Sequence, residues 1–194
     1  KKNASQLNIV ERTTPKNFNL FFKKLLIKPL SINIKVDRKS VFEDIKSILD
    51  YELSCNIQDK LFYHFWIKDM ANIIEIFSNI IKNQEICFSL DTNRGCRRYH
   101  IDNVPMRLLV TYYGKGTEWL PPSACDYSAY NNGEKNENII IKKSEIKFID
   151  NWDIAIFKGK KHYDSEKGIL HRTPDEALNN TSLLMRLDSF NNIN

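Results

Sequence analysis

Glycine is confined to one half of this 194-residue chain: all six glycines lie at or after Gly95. Helices avoid glycine, whereas the turns between strands need it. Residues 1 to about 84 are therefore predicted to be helical, and the remainder to be strand and turn. In the first part, Phe18, Phe21, Phe22, Leu25 and Leu26 recur at helical spacing until Pro29 ends the run. Ile32, Ile34 and Val36 alternate, as a short strand or an extended linker would. Ser40 and Glu43 have the spacing of a capping box, ahead of a helix that would bury Phe42, Ile45, Ile48 and Leu49. A longer helix is expected over about 57–82, carrying Leu61, His64, Phe65, Met70, Ile73, Ile74, Ile76, Phe77, Ile80 and Ile81, with His64 read as packing.

From residue 85 the period becomes that of strands. Candidates are 85–90, 104–113, 138–141 running on to Ile146, Phe148 and Ile149, then 153–157, 168–171 and 183–187. Short strands in that number, with turn signals between them, point to a sandwich or jelly roll rather than a parallel sheet. The expected fold is α+β. N-terminal helices (1–84) would pack, through Phe42, Ile45 and Ile48, on the outer face of a β domain (85–190), the two forming one compact unit.

Charge and cysteine content narrow the partners. The 29 Lys and Arg against 24 Asp and Glu give a net +5. Apart from pairs such as Lys23-Lys24, Lys142-Lys143 and Lys160-Lys161, the lysines are scattered, which argues for a solvated surface and against nucleic-acid binding. The four cysteines, Cys55, Cys87, Cys96 and Cys125, include no CxxC pair. A disulfide scaffold is not expected, and a reduced, cytoplasmic protein is. No apolar run approaches the roughly 20 residues that span a bilayer.

The chemistry is expected at His100 and Asp102. Residues i and i+2 of a strand share a face, so this pair can reach one metal from one strand end. His171 opens another candidate strand and supplies a distant third ligand. Two histidines and one carboxylate on one face of an octahedron form the facial triad of non-haem Fe(II) enzymes, which leaves positions for a co-substrate and O₂. The alternative is that His100 and Asp102 cap a turn and His171 is a satisfied core histidine. His162 sits in a Lys-rich loop and is expected to be exposed. Tyr99, Tyr112 and Tyr113 read as core before they read as donors to a co-substrate. Trp119 reads as core or pocket wall.

Three stretches carry a resemblance: CRRYHIDNVPMRLLVTYYGKGTEWLP from Cys96 to Pro121, WDIAIFKG from Trp152 to Gly159, and GILHRTP from Gly168 to Pro174. Over about 85–188 the chain resembles a bacterial family catalogued as domain of unknown function 1826. The order of elements is also similar to the Fe(II)/2-oxoglutarate dioxygenase superfamily, whose fold is a cupin-like double-stranded β-helix, a form of jelly roll. The resemblance implies an oxidoreductase in which His100, Asp102 and His171 hold Fe(II), which 2-oxoglutarate chelates. A basic residue after the distal histidine would bind the far carboxylate. Arg186, 15 positions after His171, would be that bidentate clamp. The pattern has its Arg nearer position 182, where this chain has Ser182. Arg107 is therefore a rival, and so is Arg172, although its place beside His171 should turn it to the opposite face. The substrate, a small molecule or a protein, is not specified. The same triad also fits a cupin-like protein that handles or senses zinc, and a third reading is an interaction module without chemistry.

Overall fold

The computed structural model describes residues 5–53, 61–163, 168–179 and 181–189. The expected start of the long helix at 57–60, together with Cys55, lies outside the described residues. Among them, six strands form one antiparallel sheet: β1 (Leu7–Val10), β2 (Ser31–Asp37), β3 (Glu85–Asp91), β4 (Met106–Tyr113), β7 (Ile154–Lys158) and β9 (Leu183–Asp188), in the order β1-β7-β4-β9-β3-β2. A smaller antiparallel sheet has the order β6-β5-β8, from β5 (Glu118–Trp119), β6 (Lys147–Phe148) and β8 (His171–Arg172). The N-terminal region is thus not purely helical. It supplies both edge strands of the large sheet, and β1 had no more signal in the sequence than four residues, LNIV.

Strand alternation gives the large sheet two different faces. Ile86, Phe88 and Leu90 of β3, Leu108, Val110 and Tyr112 of β4, and Leu183, Met185 and Leu187 of β9 join one core. The helices α1 (Phe18–Leu25), α2 (Val41–Glu52) and α3 (Leu61–Ile81) complete it. These helices carry Phe22, Ile45, Leu49, Trp66 and Phe77 into that core, all at or near full burial. The side chain of Asp69 in α3 fixes the docking, accepting from Tyr112 Oη (2.8 Å) and Arg12 Nη1 (2.7 Å). The opposite face of the large sheet turns toward the small one. Leu109, Ala155 and Phe157 meet Ile149 and Ile169 there, with Trp119 and Leu184 packed alongside.

Four local expectations are corrected. The buried stripe of α3 runs through Tyr63, Trp66, Ile67, Met70, Ile73, Ile74 and Phe77, whereas His64, Phe65, Ile76 and Ile80 are exposed. Both sets have helical spacing, and the aromatic bulk of Tyr63 and Trp66 decides which faces the sheet. Ser40 does not cap α2: its hydroxyl donates to the Asp44 carboxylate (2.8 Å) instead of accepting from the backbone. Residues 138–141 are not a strand. Asn136–Ile139 is a short helical turn, α5, and only Ile140 bridges to Cys125. The C-terminal region also holds α4 (Tyr127–Asn131) and α6 (Asp175–Asn179), so helices are not restricted to the N-terminal part. No helix among the described residues is long and apolar enough to cross a membrane.

Candidate metal centre

His100 and His171 lie 71 positions apart in sequence and directly opposite each other in space. Their backbones exchange two hydrogen bonds, His100 N–H to His171 O (3.0 Å) and His171 N–H to His100 O (3.1 Å). Directly opposed residues of an antiparallel pair project to the same face, so the two rings become neighbours, with centroids 4.5 Å apart. Asp102, two residues after His100, joins them. One ligand atom from each of the three lies within 4.8 Å of the others. His171 Nε2 is 3.1 Å from Asp102 Oδ2, and His100 Nε2 is 3.5 Å from Asp102 Oδ1. The Asp102 and His171 side chains are buried, while His100 is partly open to solvent. Phe157 packs against the His171 ring, with centroids 4.4 Å apart.

The tautomers follow from the backbone. His100 Nδ1 faces the Arg98 carbonyl at 3.0 Å, and His171 Nδ1 faces the Ile169 carbonyl at 3.1 Å. A carbonyl oxygen only accepts, so each Nδ1 carries a proton and each ring turns its Nε2 toward Asp102. Metal-binding histidines are oriented in this way. Asp102 Oδ2 is buried and takes no hydrogen bond. Two lone pairs and a carboxylate converging on one point repel unless a cation sits among them. A divalent ion satisfies all three donors, and a proton is the other candidate. Burial by itself would lower the His100 pKa, but hydrogen bonds to Asp102 and Cys96 and the charge of Asp102 outweigh it and raise it to about 10. Burial by itself would raise the Asp102 carboxyl, yet the neighbouring His171 and His100 imidazoles and the Arg107 charge hold it well below the usual range.

A chain of alternating charge extends from the cluster across the inner face of the large sheet. Arg107 donates from Nη1 to Asp102 and grips Asp188 with Nε (2.6 Å) and Nη2 (2.8 Å). Arg186 Nε stands 3.5 Å from Asp188 Oδ2, and its Nη2 donates to Ser89 Oγ (3.0 Å). Arg107 and Arg186 thus lie on the triad's side of the sheet, each with a carboxylate already beside it. Arg172 points away, as its position beside His171 required. It binds Glu118 (2.9 Å from Nε) and Asp175, while Tyr99 Oη also donates to Glu118. Glu118 and Tyr99 are buried here on the outer face of the small sheet, while Asp175 is exposed. Arg172→Ala is expected to cost about 3–5 kcal/mol, the penalty for stranding a buried carboxylate, measured by urea unfolding. A loss below 1 kcal/mol would contradict the cluster's structural role.

Gly159 seats the strand end that carries Asp102. Its N–H donates to Pro105 O (3.0 Å), and Lys160 N–H donates to Asp102 O (2.8 Å). A Cβ at 159 would collide with the Val104 and Asp102 carbonyl oxygens. Gly159→Ala is expected to lower stability by about 1–3 kcal/mol through overpacking and to displace Asp102. Unfolding and metal affinity, measured on the same sample, check both effects. Sequence reasoning missed Asp188 and Ser89, the polar partners along the inner face; alternation with the apolar Leu183, Met185 and Leu187 was the available signal. Cys96 lies near enough to His100 for the imidazole to lower its thiol pKa; its place four residues before His100 was the signal in the sequence.

Fold and site together define a class: an α+β protein with two antiparallel sheets and a buried cluster of two histidines and one carboxylate between them. The chain matches over residues 1–188 the family model described as "Protein of unknown function (DUF1826)", and it belongs to that family. A comparison with curated proteins finds no match.

Proposed function

We propose that this protein is a metal-dependent oxygenase of the Fe(II)/2-oxoglutarate type, with His100, Asp102 and His171 as its metal ligands. The observation that carries the reading is the pair of imidazoles whose Nδ1 protons are held by Arg98 O and Ile169 O while both Nε2 atoms face one carboxylate. Three donors from one side suit an ion that keeps other coordination positions for ligands. Strand order supports a double-stranded β-helix. From β3 onward the chain alternates between sheets: β3 large, the His100 segment small, β4 large, β5 and β6 small, β7 large, β8 small, β9 large. That winding buries a site between the sheets, at the end of the strand pair that carries the ligands.

When bound, the metal and 2-oxoglutarate would supply the oxidising chemistry for a C–H bond. The chain's own contribution is positioning. Arg107 holds Asp102 in place and balances part of its charge, and Phe157 fixes the plane of His171. The test is an anaerobic titration with Fe(II) and then 2-oxoglutarate. The expected result is a weak visible charge-transfer band that is lost in His171→Ala.

One observation favours a second reading. The His100 imidazole lowers the Cys96 thiol pKa, which places this thiol near His100 at the solvent side of the cluster. A thiolate joining two histidines and a carboxylate would make a four-donor set of the kind zinc takes, and the protein would then handle or sense zinc. Tight zinc binding that Cys96→Ser weakens strongly, with no band on adding 2-oxoglutarate, would decide for that reading.

A further inference from the structure

The join that brings the two ligand histidines together is a single isolated backbone bridge. A regular antiparallel ladder would go on from it to the pairs Arg98–Thr173 and Asp102–Ile169. The carbonyls that would accept in those pairs are turned to the imidazoles instead. Arg98 O accepts from His100 Nδ1 (3.0 Å), and Ile169 O accepts from His171 Nδ1 (3.1 Å). Thr173 N–H donates past the regular position to Cys96 O (2.9 Å), and Asp102 O accepts from Lys160 N–H (2.8 Å). Orienting the rings thus takes up the main-chain groups that would fix the register of the strands carrying them. A slip of one residue would turn either histidine to the opposite face of the sheet. Two hydrogen bonds, each of modest net worth, are a weak guard against it.

The reverse face of the same strands supplies what the backbone lacks. One position out of step with the histidines, Tyr99 stands opposite Arg172, and Arg172 stands opposite Glu118. Alternation puts this row directly behind the row of His100, His171 and Trp119. The Arg172 guanidinium grips Glu118 through Nε (2.9 Å) and Nη2 (3.1 Å) and lies over the Tyr99 ring, 5.4 Å from its centroid. Tyr99 Oη reaches across it to the same carboxylate. Tyr99 is 0% exposed and Glu118 4%. One closed set of side chains therefore ties the His100 segment, β8 and β5, and a slip of the His100 segment or of β5 against β8 would strand a buried carboxylate, which is costly.

We propose that Tyr99, Arg172 and Glu118 form a register lock that positions His100 and His171 as a pair. The lock touches neither imidazole. It acts through the backbone, by holding the one bridge at which both rings project to the inner face. That the pair so held binds a metal rests on the reading given above; that the lock sets the pairing does not.

The experiment uses the full chain and sets Tyr99→Phe against Tyr112→Phe. Each substitution removes one buried tyrosine hydroxyl bonded to a carboxylate, but Tyr112 meets Asp69 on the helix side of the large sheet. The first measurement needs no metal: hydrogen exchange of the His100 and His171 amides, which make the bridge. Tyr99→Phe is expected to speed both by at least about tenfold relative to Tyr112→Phe. The second is Zn(II) affinity by chelator competition. It is expected to fall about 10–100-fold in Tyr99→Phe, the usual cost of losing an outer support of a metal ligand. In Tyr112→Phe it should stay within about twofold of the wild type, since that hydroxyl shares no partner with the site. Arg172→Lys keeps the charge but not the two-point grip on Glu118, and should repeat both effects. Equal amide exchange in Tyr99→Phe and Tyr112→Phe would overturn the lock, whatever zinc does. Faster exchange with wild-type zinc affinity would overturn its part in positioning the ligands. Faster exchange in a protein that binds no zinc at all would leave the lock standing and remove the metal reading.

Discussion

Replacing His171 with alanine is expected to weaken divalent-metal binding by more than about 100-fold, beyond what the loss of an outer contact to a metal ligand costs. His171 supplies the more buried of the two imidazole donors, with its Nε2 3.1 Å from Asp102 Oδ2. The rings of Phe157 and His100 both pack against it, with centroids 4.4 and 4.5 Å away. The backbone should survive, because its two hydrogen bonds to His100 use main-chain atoms only. Competition with a chromophoric chelator for Zn(II) or Co(II) measures the loss, and circular dichroism checks the fold. Cys96→Ser in the same assay separates the two proposed readings. A loss below about tenfold leaves a three-ligand site, whereas a loss comparable to that of His171→Ala makes the thiolate a ligand. A His171→Ala variant that binds within tenfold of the wild type would remove the triad as the metal site.

How far the sequence announced this arrangement depends on the range of the interactions involved. The alternation of β4 and β9 was legible because period-two patterns are local, whereas the glycine content hid the two N-terminal edge strands and the short C-terminal helices. The His100, Asp102 and His171 set was legible because an i, i+2 spacing fixes a shared face whatever the tertiary structure. The opposite orientation of Arg172 follows from the same rule. What stayed hidden depends on partners far along the chain. Nothing near Arg107 announces that it bridges Asp102 and Asp188, 81 residues apart from it in the second case. In α3 two apolar stripes of equal period competed, and the sheet beneath chose the one with Tyr63 and Trp66. At 138–141 the apolar run was real, but its contacts are those of a helical turn packed over the small sheet.

Metal affinity is expected to rise about tenfold per pH unit between pH 6 and 8, because each ion must displace one proton from the cluster. The sign follows from the donors. In the metal-free protein, Asp102 and Cys96 raise the His100 pKa to about 10 from an ordinary 6.5 despite burial, so His100 is protonated across this range. Asp102 stays ionised throughout, its pKa held well below the usual carboxylate range. The Nδ1 protons stay on the rings, donated to the Arg98 and Ile169 carbonyls, and the proton released is the one on His100 Nε2. Without metal, the raised pKa contributes stability that is complete below about pH 6.5 and is lost as pH climbs toward 10. With metal the order reverses, since a deprotonated ring is the form that binds. The metal-induced increase in Tm should therefore grow with pH, while the metal-free Tm falls from pH 7 to 9. Calorimetric titration with Zn(II) in buffers of different ionisation enthalpy should count close to one proton released per ion at pH 7. An affinity independent of pH, or no proton released, would mean that the cluster holds no proton for a metal to replace.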